Sequence, residues 1–542
     1  MNVQNGMIPI VIGITGHRDP RQEDLEALRS SVSDVYRRIR ENYPDAPLFV
    51  MSSVAAGADQ LCAEVALESG IGVISVLPMP VEEYRKDFDG EDAVRFDRIL
   101  SASQDCFVSL DMEGFSPNHG PSDPRARDYL YRQAGLYIVS HSHILLALWD
   151  GKEGSADGCG CASIVRVASE GLRRVTTGSQ LQTARTPVLQ IVTPRRSSPD
   201  AALTAGEMIF HGDRSATEKI LEYTNTFDRD CCIDAKTSPA PDTESVPDPV
   251  MNRLLSIYNT SDKLSVANAG KYRNLLVMLS VFASVLTMAF LLYDEMELAW
   301  MIVVCGFMIC ALFLVNAVSR QSQTFDHYLE YRMLAESTRV QTYLRSAGIS
   351  CEVAEIMPWS IQATIPWVKY AVSVAMIGGQ AGTRVSILDP WVTGQKDYHI
   401  RALERTSAKM DHNNRIVRIA LILTIATYIA TLVFEIIWGG LFSGKALLDA
   451  DTLNLFRFYV KVVLGTLSAI TIFTGNYYGK QALPDVIDGH RNMILLYEEA
   501  ERQIMQNGES EPFLIRLAEN ELAENSNWYA YQSTQGLDLG IS

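Results

Sequence analysis

Four long apolar stretches alternate with polar segments in the second half of the chain. They cover residues 275–293, 298–318, 419–437 and about 462–478. Each is close to the ~20 residues that a helix needs to cross the hydrocarbon core of a bilayer. Only residues 294–297 separate the first two stretches. The pattern therefore predicts an α-helical transmembrane domain with four spans in two hairpins, of which the fourth span is the shortest and most polar.

Basic residues near the ends of spans indicate their orientation. The side shared by both termini carries Lys271, Arg273, Arg320, Arg332, Arg401, Arg405, Lys409, Arg415, Arg418, Lys480 and Arg491. The opposite side carries only Lys445, Arg457 and Lys461. We therefore expect a multi-pass protein of the cell (inner) membrane with both termini in the cytoplasm. Burial of all four helices inside a soluble protein would leave this charge bias unexplained.

The pattern ahead of the membrane domain is different. Short apolar runs at residues 9–15, 48–51, 144–149 and 188–192 alternate with helical patterns such as residues 61–69. Apolar runs of this length that alternate with helices are typical of a parallel sheet in an α/β domain. The run at 8–15 has no basic region before it and is too short for a signal-peptide core, so we expect a buried strand there.

Composition agrees with a soluble part joined to a membrane part. The 542 residues are 47% hydrophobic and 20% charged, which lies between the values expected for the two classes. A net charge of -17 and the absence of a long basic run argue against a nucleic-acid partner. None of the nine cysteines is in a CxxC pair, so neither a zinc site nor a disulfide framework is indicated.

These patterns divide the chain into five segments. The predicted segments are an α/β domain at 1–215, a flexible connector at 216–250, a helix plus transmembrane hairpin at 251–350, a linker at 351–400, and a second such unit with C-terminal cytoplasmic helices at 401–542. The two hairpin units look duplicated, because residues 260–264 resemble 406–410 and residues 331–336 resemble 490–499. Chance similarity between amphipathic helices is the alternative.

Three strands of the α/β domain end in turns rich in glycine and small residues. The candidate ligand-binding residues in these turns are Thr15, Gly16, His17, Arg18, Ser53, Gly57, Ala58, Asp59, Gln60, Trp149, Asp150, Gly158 and Gly160. Carboxyl ends of parallel strands share one edge of the sheet, where helix N-termini offer backbone amides to a phosphate. Arg18 could pair with that phosphate.

Several of these residues also have an ordinary structural explanation. A single glycine more often marks a turn that needs a positive φ angle than a ligand. His17 either contacts a ligand or satisfies its own loop, Asp59 either holds a ribose hydroxyl or begins a helix, and Trp149 either borders the site or belongs to the core. We expect His141 and His143 to be structural.

Two elements, Thr-Gly-His-Arg at 15–18 and Gly-Ala-Asp-Gln at 57–60, give the domain a family resemblance. Residues 7–195 resemble the SLOG family, a Rossmann-like group that includes the DNA-processing protein A domain, the cytokinin-activating phosphoribohydrolases and many prokaryotic sensor domains. The resemblance implies a nucleotide-derived ligand and no other cofactor or metal.

The hydrolase branch of that family carries a Gly-Gly-x-Gly-Thr turn followed closely by a glutamate. The matching turn here is 158–162, and no carboxylate follows it until Glu170. This departure favours a binding domain over an enzyme.

Residues 331–336 and 525–528 look like the SLATT class of two-span membrane effectors, although a doubled hairpin departs from the two-span form. The combination resembles prokaryotic anti-phage effectors such as those of CBASS and Thoeris. It implies that a nucleotide second messenger, made by a partner enzyme during phage infection, triggers pore formation or membrane disruption and thereby abortive infection.

The fourth span carries the candidate pore residues Ser468, Thr471 and Asn476. Such side chains either line water or bond neighbouring helices. Because one chain has only four spans, a pore would need several copies, and we expect a homo-oligomer.

Two other functions remain open. One is a membrane-anchored nucleotide or nucleoside-phosphate hydrolase, and the other is a non-conducting signalling scaffold similar to the nucleotide-binding N-terminal regions of melastatin-type channels. Cyclic oligonucleotides, ADP-ribose derivatives and mononucleotides would all offer phosphates to the glycine turns.

Overall fold

The structure is a computed structural model in which two compact units are described. It describes residues 6–113, 123–153, 158–171, 185–197, 202–237, 247–296, 298–378, 382, 384–439 and 446–536. The first unit comprises Met1–Leu264, Arg332–Ser386 and Glu511–Ala523. The second unit comprises Ser265–Tyr331, Ile387–Ser510 and Glu524–Ser542.

A mostly parallel sheet lies at the centre of the first unit. Its strands within the described residues are β1 (Ile10–Gly16), β2 (Leu48–Ser52), β3 (Gly72–Leu77), β4 (Asp105–Val108), β5 (Ile144–Trp149), β6 (Val188–Val192) and β7 (Met208–His211). Their order is β4-β3-β2-β1-β5-β6-β7, and only the β6–β7 pair is antiparallel. The prediction of an N-terminal α/β domain is confirmed.

Helices cover both faces of this sheet. They are α1 (Leu25–Asn42), α2 (Ala58–Glu68), α3 (Val81–Tyr84), α4 (Gly90–Ala102), α5 (Pro124–Ser140), α6 (Cys161–Glu170) and α7 (Arg214–Thr237). Successive side chains of a strand point to opposite faces, so Ile12 and Val50 pack toward α1, α2 and α4, whereas Val11 and Met51 pack toward α5 and α6. Burial on both faces explains why the strands are almost continuously apolar.

The remaining helices of the described chain follow in order. They are α8 (Pro249–Met296), α9 (Met301–Ser322), α10 (Thr324–Ser346), α11 (Val353–Ile356), α12 (Trp359–Thr364), α13 (Pro366–Ala375), α14 (Gly394–Ile437), α15 (Ala450–Gly479), α16 (Leu483–Asn507) and α17 (Glu511–Ser533).

The flexible connector predicted at 216–250 is wrong over residues 216–237, which belong to α7. The Asp228 carboxylate accepts a hydrogen bond from the backbone N–H of Ile8 at 2.7 Å, and Asn225 accepts one from Asp45 at 2.8 Å. Leu221 is buried against the sheet. The proline-rich stretch at 238–246 lies outside the described residues.

The linker predicted at 351–400 is also wrong, because residues 351–378 complete the core of the first unit. Val374 and Ile377 pack with the side chains of α5 and α6 beneath the sheet. The Glu352 carboxylate lies 2.9 Å from Nε2 of His141 at the end of α5, and both side chains are buried. His141 therefore has a structural role, as expected.

Within the described residues, four helices are long and apolar enough to cross a membrane. The predicted spans lie in α8, α9, α14 and α15, so the prediction of four long apolar helices is confirmed. No more than 17% of the most apolar window of any of these helices is buried within the chain. Exposed apolar surface of this extent suggests a lipid bilayer as its surroundings, which is compatible with a multi-pass membrane protein.

The pair between His141 and Glu352 generates a first prediction. Glu352→Ala leaves a fully buried imidazole without its carboxylate partner, so it should lower the free energy of unfolding by about 1–3 kcal/mol. We would measure unfolding of the full chain in detergent by circular dichroism.

Glu170→Ala is the matched control, because it removes the exposed pair between Glu170 and Arg166 on α6. Exposed pairs contribute about 0.5 kcal/mol or less. Equal losses in the two variants would contradict a structural role for the segment that follows α10.

Candidate functional site

The predicted turns meet at the carboxyl edge of the sheet, where the strand order reverses. From β1 the chain adds β2, β3 and β4 on one side and then places β5 on the other side of β1. Open α/β sheets bind ligands in the crevice outside the carboxyl ends of the two strands at such a reversal. The turn after Gly16 and the turn after Trp149 border this crevice.

His17 and Asp150 join these two turns. Nε2 of His17 lies 3.1 Å from Oδ1 of Asp150, and the backbone N–H of Asp150 donates to the same nitrogen at 3.1 Å. Burial, the strongest influence, lowers the pKa of His17, although the Asp150 carboxylate acts in the opposite direction. The imidazole of His17 therefore holds the first turn against the third.

Arg18 carries an exposed guanidinium group next to this contact. Its Cζ atom lies 5.1 Å from the centroid of the Tyr131 ring on α5, which is a cation–π distance. The Tyr131 hydroxyl contacts Asp87, whose carboxylate also pairs with Arg127. In the part of the chain that the structure describes, no carboxylate lies within salt-bridge distance of Arg18. Its guanidinium group bonds to the Tyr131 hydroxyl and its charge interacts with that of Asp87, but it forms no direct ion pair among the described residues.

Gly16 and Gly57 allow the first and second turns to touch. A Cβ atom on Gly16 would lie 2.4 Å from Cβ of Ala58, and one on Gly57 would lie 2.5 Å from the carbonyl oxygen of Arg18. The Ala58 N–H donates to the carbonyl of His17 at 3.0 Å, and Gly57 has a φ angle of +83°. The backbone of the first turn therefore fills the space beside the second turn at the N-terminus of α2.

Asp59 is buried beneath this contact. Its carboxylate accepts hydrogen bonds from the Ser53 hydroxyl at 2.9 Å and the Ser52 hydroxyl at 3.3 Å. Burial nevertheless raises the pKa of Asp59 to about 6. Of the two explanations offered for Asp59, these contacts favour the structural one. Val54, in the same turn, has a φ angle of +57°, which is strained for a β-branched residue.

Two other predicted residues make contacts elsewhere. Nε2 of Gln60 donates to the carbonyl of Asp92 on α4 at 3.0 Å. The half-buried ring of Trp149 packs against the core on the α5 and α6 side of the sheet, and its Nε1 donates to the carbonyl of Lys152 at 3.0 Å.

The third turn leads into the N-terminus of α6. Gly158 accepts a hydrogen bond from Arg132 at 3.1 Å, whereas a Cβ atom on Gly160 would meet no atom within 4 Å. Gly160 directly precedes α6 and is exposed. The space beside this helix N-terminus, with its unsatisfied amides and partial positive charge, is therefore open.

Residues that were not predicted also shape the site. Arg195, in the turn after β6, donates to the Asp19 carboxylate at 2.9 Å and so fixes the far side of the first turn. The side chain of Thr15 bonds to the Cys161 thiol, whose pKa burial raises to about 12. Tyr131 beneath Arg18 carried no distinguishing signal, because a tyrosine on an amphipathic helix is commonly a core residue.

No protein-family model matches the chain, and no curated protein matches it either. The resemblance to the SLOG and SLATT families therefore stays a prediction. Among the described residues, no group of three or more His, Cys, Asp or Glu side chains could hold a metal ion.

In the second unit, α15 packs on α8 through small residues. A Cβ atom on Gly465 would lie 2.8 Å from the Leu291 side chain, and the Ser284 hydroxyl donates to the carbonyl of Ala469 at 3.1 Å. The pore candidates Ser468 and Thr471 are exposed on the same helix. The side chain of Asn476 lies outside the described residues.

The contact between the first two turns predicts opposite outcomes for two glycines. Gly57→Ala forces a side chain onto a positive φ angle and against the Arg18 carbonyl, so it should destabilise the chain by about 1–3 kcal/mol. Gly160→Ala places the same methyl group in open space at a permitted φ angle and should change stability by less than about 0.5 kcal/mol. Thermal unfolding of the two variants in detergent compares them, and equal destabilisation would contradict the assignment.

Asp59→Asn tests the buried carboxylate. Because its pKa is raised from 3.8 to about 6 on folding, the acid stabilises the folded chain most below about pH 4, and this contribution is lost as the pH rises through 6. The stability of the variant relative to the natural chain should therefore increase by about 3 kcal/mol between about pH 3 and pH 7. Unfolding at a series of pH values measures this difference.

The exposed Asp89→Asn variant is the control and should show no comparable trend. A difference for Asp59→Asn that stays constant across the pH range would contradict the raised pKa.

Proposed function

We propose that the chain is a membrane effector whose α/β domain binds a nucleotide-derived second messenger in the crevice between β1 and β5. The observation that carries the proposal is the exposed Arg18 guanidinium, which has no carboxylate partner among the described residues and lies near the start of α6. Its charge acts on the Cys159 thiol in the turn before that helix. A cation beside an open helix N-terminus is suited to a phosphate group.

Packing inside the first unit supports a route from this site to the membrane. A Cβ atom on Gly135 of α5 would lie 2.5 Å from the Ile164 side chain of α6, so these helices are in close contact. Ile164 shares a core with Ile377, and Nε of Arg253 donates to the carbonyl of Ala375 at 2.8 Å. Arg253 belongs to α8, which continues without a break into the first predicted span.

In this proposal, ligand binding at α6 alters the packing of α5 and of the segment after α13, and α8 carries the change into the membrane. The effector belongs to a prokaryotic anti-phage system, has both termini in the cytoplasm of the cell and works as a homo-oligomer. Exposure of Ser468 and Thr471 supports a role at the contact between copies or along a pore.

The hydrolase alternative has less support. The first turn of α6 contains no acidic residue, and Glu170 is the last residue of that helix, paired with Arg166 at 2.9 Å. A carboxylate so placed is far along the helix from the open N-terminus where a phosphate would bind. The scaffold alternative differs from the effector only in the absence of permeability, which an experiment must decide.

The test uses the full chain. Detergent-solubilised protein is incubated with small-molecule extracts of phage-infected and uninfected cells, and the retained molecules are identified by mass spectrometry. We expect an intact nucleotide derivative from infected cells alone. The same molecule should release dye from vesicles that contain the protein.

Gly160→Leu fills the open space at α6 and should weaken retention at least about tenfold, since the loss of one good phosphate contact is worth more than 1.4 kcal/mol. Gly270→Leu, on α8, is the matched control, because a Cβ atom there also meets nothing within 4 Å. A cleaved ligand would identify a hydrolase, and retention without dye release would identify a scaffold. Either outcome would overturn the effector proposal.

A further inference from the structure

A cavity of about 370 Å³ lies in the second hairpin, between α14, the end of α15 and the beginning of α16. Its lining residues are Met410, Asn413, Asn414, Val417, Thr471, Thr474, Gly475, Tyr478, Gly479, Leu483 and Pro484. The volume falls within the range of pockets that hold small molecules. This cavity is separate from the crevice at the carboxyl edge of the sheet.

One wall of the cavity carries an unsatisfied hydrogen-bond acceptor. Oδ1 of Asn413 is buried and has no hydrogen-bond partner among the described residues. The neighbouring hydroxyls are already used, because Thr471 donates to the carbonyl of Leu467 at 2.9 Å and Thr474 donates to that of Ile470 at 3.0 Å. A buried acceptor without a donor is costly, so a ligand that supplies a hydroxyl or amine here gains binding energy.

The opposite wall contains two glycines of α15, which have no side chains to fill the cavity. A Cβ atom on Gly475 or on Gly479 would meet no other atom within 4 Å. Glycine is unfavourable inside a helix, and here neither close helix packing nor a positive φ angle requires it. Its effect at these two positions is to keep the space between the helices open.

The cavity lies where the second hairpin enters the predicted membrane, and two arginines of α14 are close to its lining residues in the sequence. Val417 lies two residues before the predicted third span, whereas the lining residues between 471 and 478 lie in the C-terminal half of the predicted fourth span. Arg415 and Arg418 on α14 are exposed and have no carboxylate partner in the described chain. Basic residues at a membrane surface attract anionic lipid headgroups.

We propose that this cavity binds one anionic phospholipid whose headgroup carries a hydroxyl, as in phosphatidylglycerol. An acyl chain enters between α14 and α15 beside Val417, a headgroup hydroxyl donates to Oδ1 of Asn413, and the phosphate faces Arg418. The site makes the second hairpin sensitive to lipid composition, and it does not depend on the nucleotide proposal.

Native mass spectrometry of the full chain tests this site. The protein is incubated in detergent with phosphatidylglycerol or phosphatidylcholine, and the lipid that it retains after release from the detergent is measured. The natural chain should retain one phosphatidylglycerol per chain and should prefer it to phosphatidylcholine by about tenfold or more, the value of one hydrogen bond to a buried group plus a charge contact. Equal retention of the two lipids would overturn the proposal.

Gly475→Leu fills the cavity without meeting another atom at Cβ and should abolish retention. Gly306→Leu is the matched control, since Gly306 is an exposed glycine of α9 with the same open surroundings. Asn413→Ala should keep lipid in the cavity but lose most of the preference for phosphatidylglycerol. Retention by Gly475→Leu equal to that of the control would overturn the proposal, and unchanged elution and unfolding temperature show that each variant is folded.

Discussion

The candidate site depends on the contact between the turns that follow β1 and β2. The backbone of Gly57 lies so close to Arg18, and that of Gly16 so close to Ala58, that neither glycine has room for a side chain. The hydrogen bond from the Ala58 N–H to the His17 carbonyl then fixes the position of the backbone at His17 and Arg18 relative to the end of β1. A buried Asp59 carboxylate and a strained Val54 accompany the contact, and strain of this kind persists where surrounding packing enforces it.

This arrangement leaves the three glycine turns with different roles. The first turn supplies the exposed Arg18 cation, the second supports the first, and the third supplies the open N-terminus of α6. A phosphate would therefore bind between the first and third turns, at the reversal of strand order, and not over α2. The contact between His17 and Asp150 links these two turns and does not involve Arg18.

Local pattern was sufficient to predict β1, β2, β5 and β6, the first turns of α2 and α6, and the membrane helices, whereas β3, β4 and β7 were not predicted. A strand buried on both faces must be apolar throughout, and a span must be apolar over its whole length, so each leaves a signal within its own residues. The packing of α7 and of residues 351–378 left no such signal. Their positions depend on pairs such as His141 with Glu352, which are 211 residues apart in the sequence. Likewise, the sequence around Gly57 does not reveal whether its neighbour is a ligand or another turn.

The two hairpin halves share a plan but differ in what surrounds their soluble ends. In each, the helix after the hairpin begins at a left-handed residue, Gln323 before α10 and Ala482 at α16. A non-glycine residue in this conformation at both equivalent places strengthens the case for duplication. The first half gives the beginning of α8 and most of α10 to the unit that contains the sheet, whereas the second half belongs to the other unit from Ile387 to Ser510. Of the second half, only Glu511–Ala523 of α17 belongs to the unit that contains the sheet. Under our proposals, the first half receives the signal while the second responds to lipid.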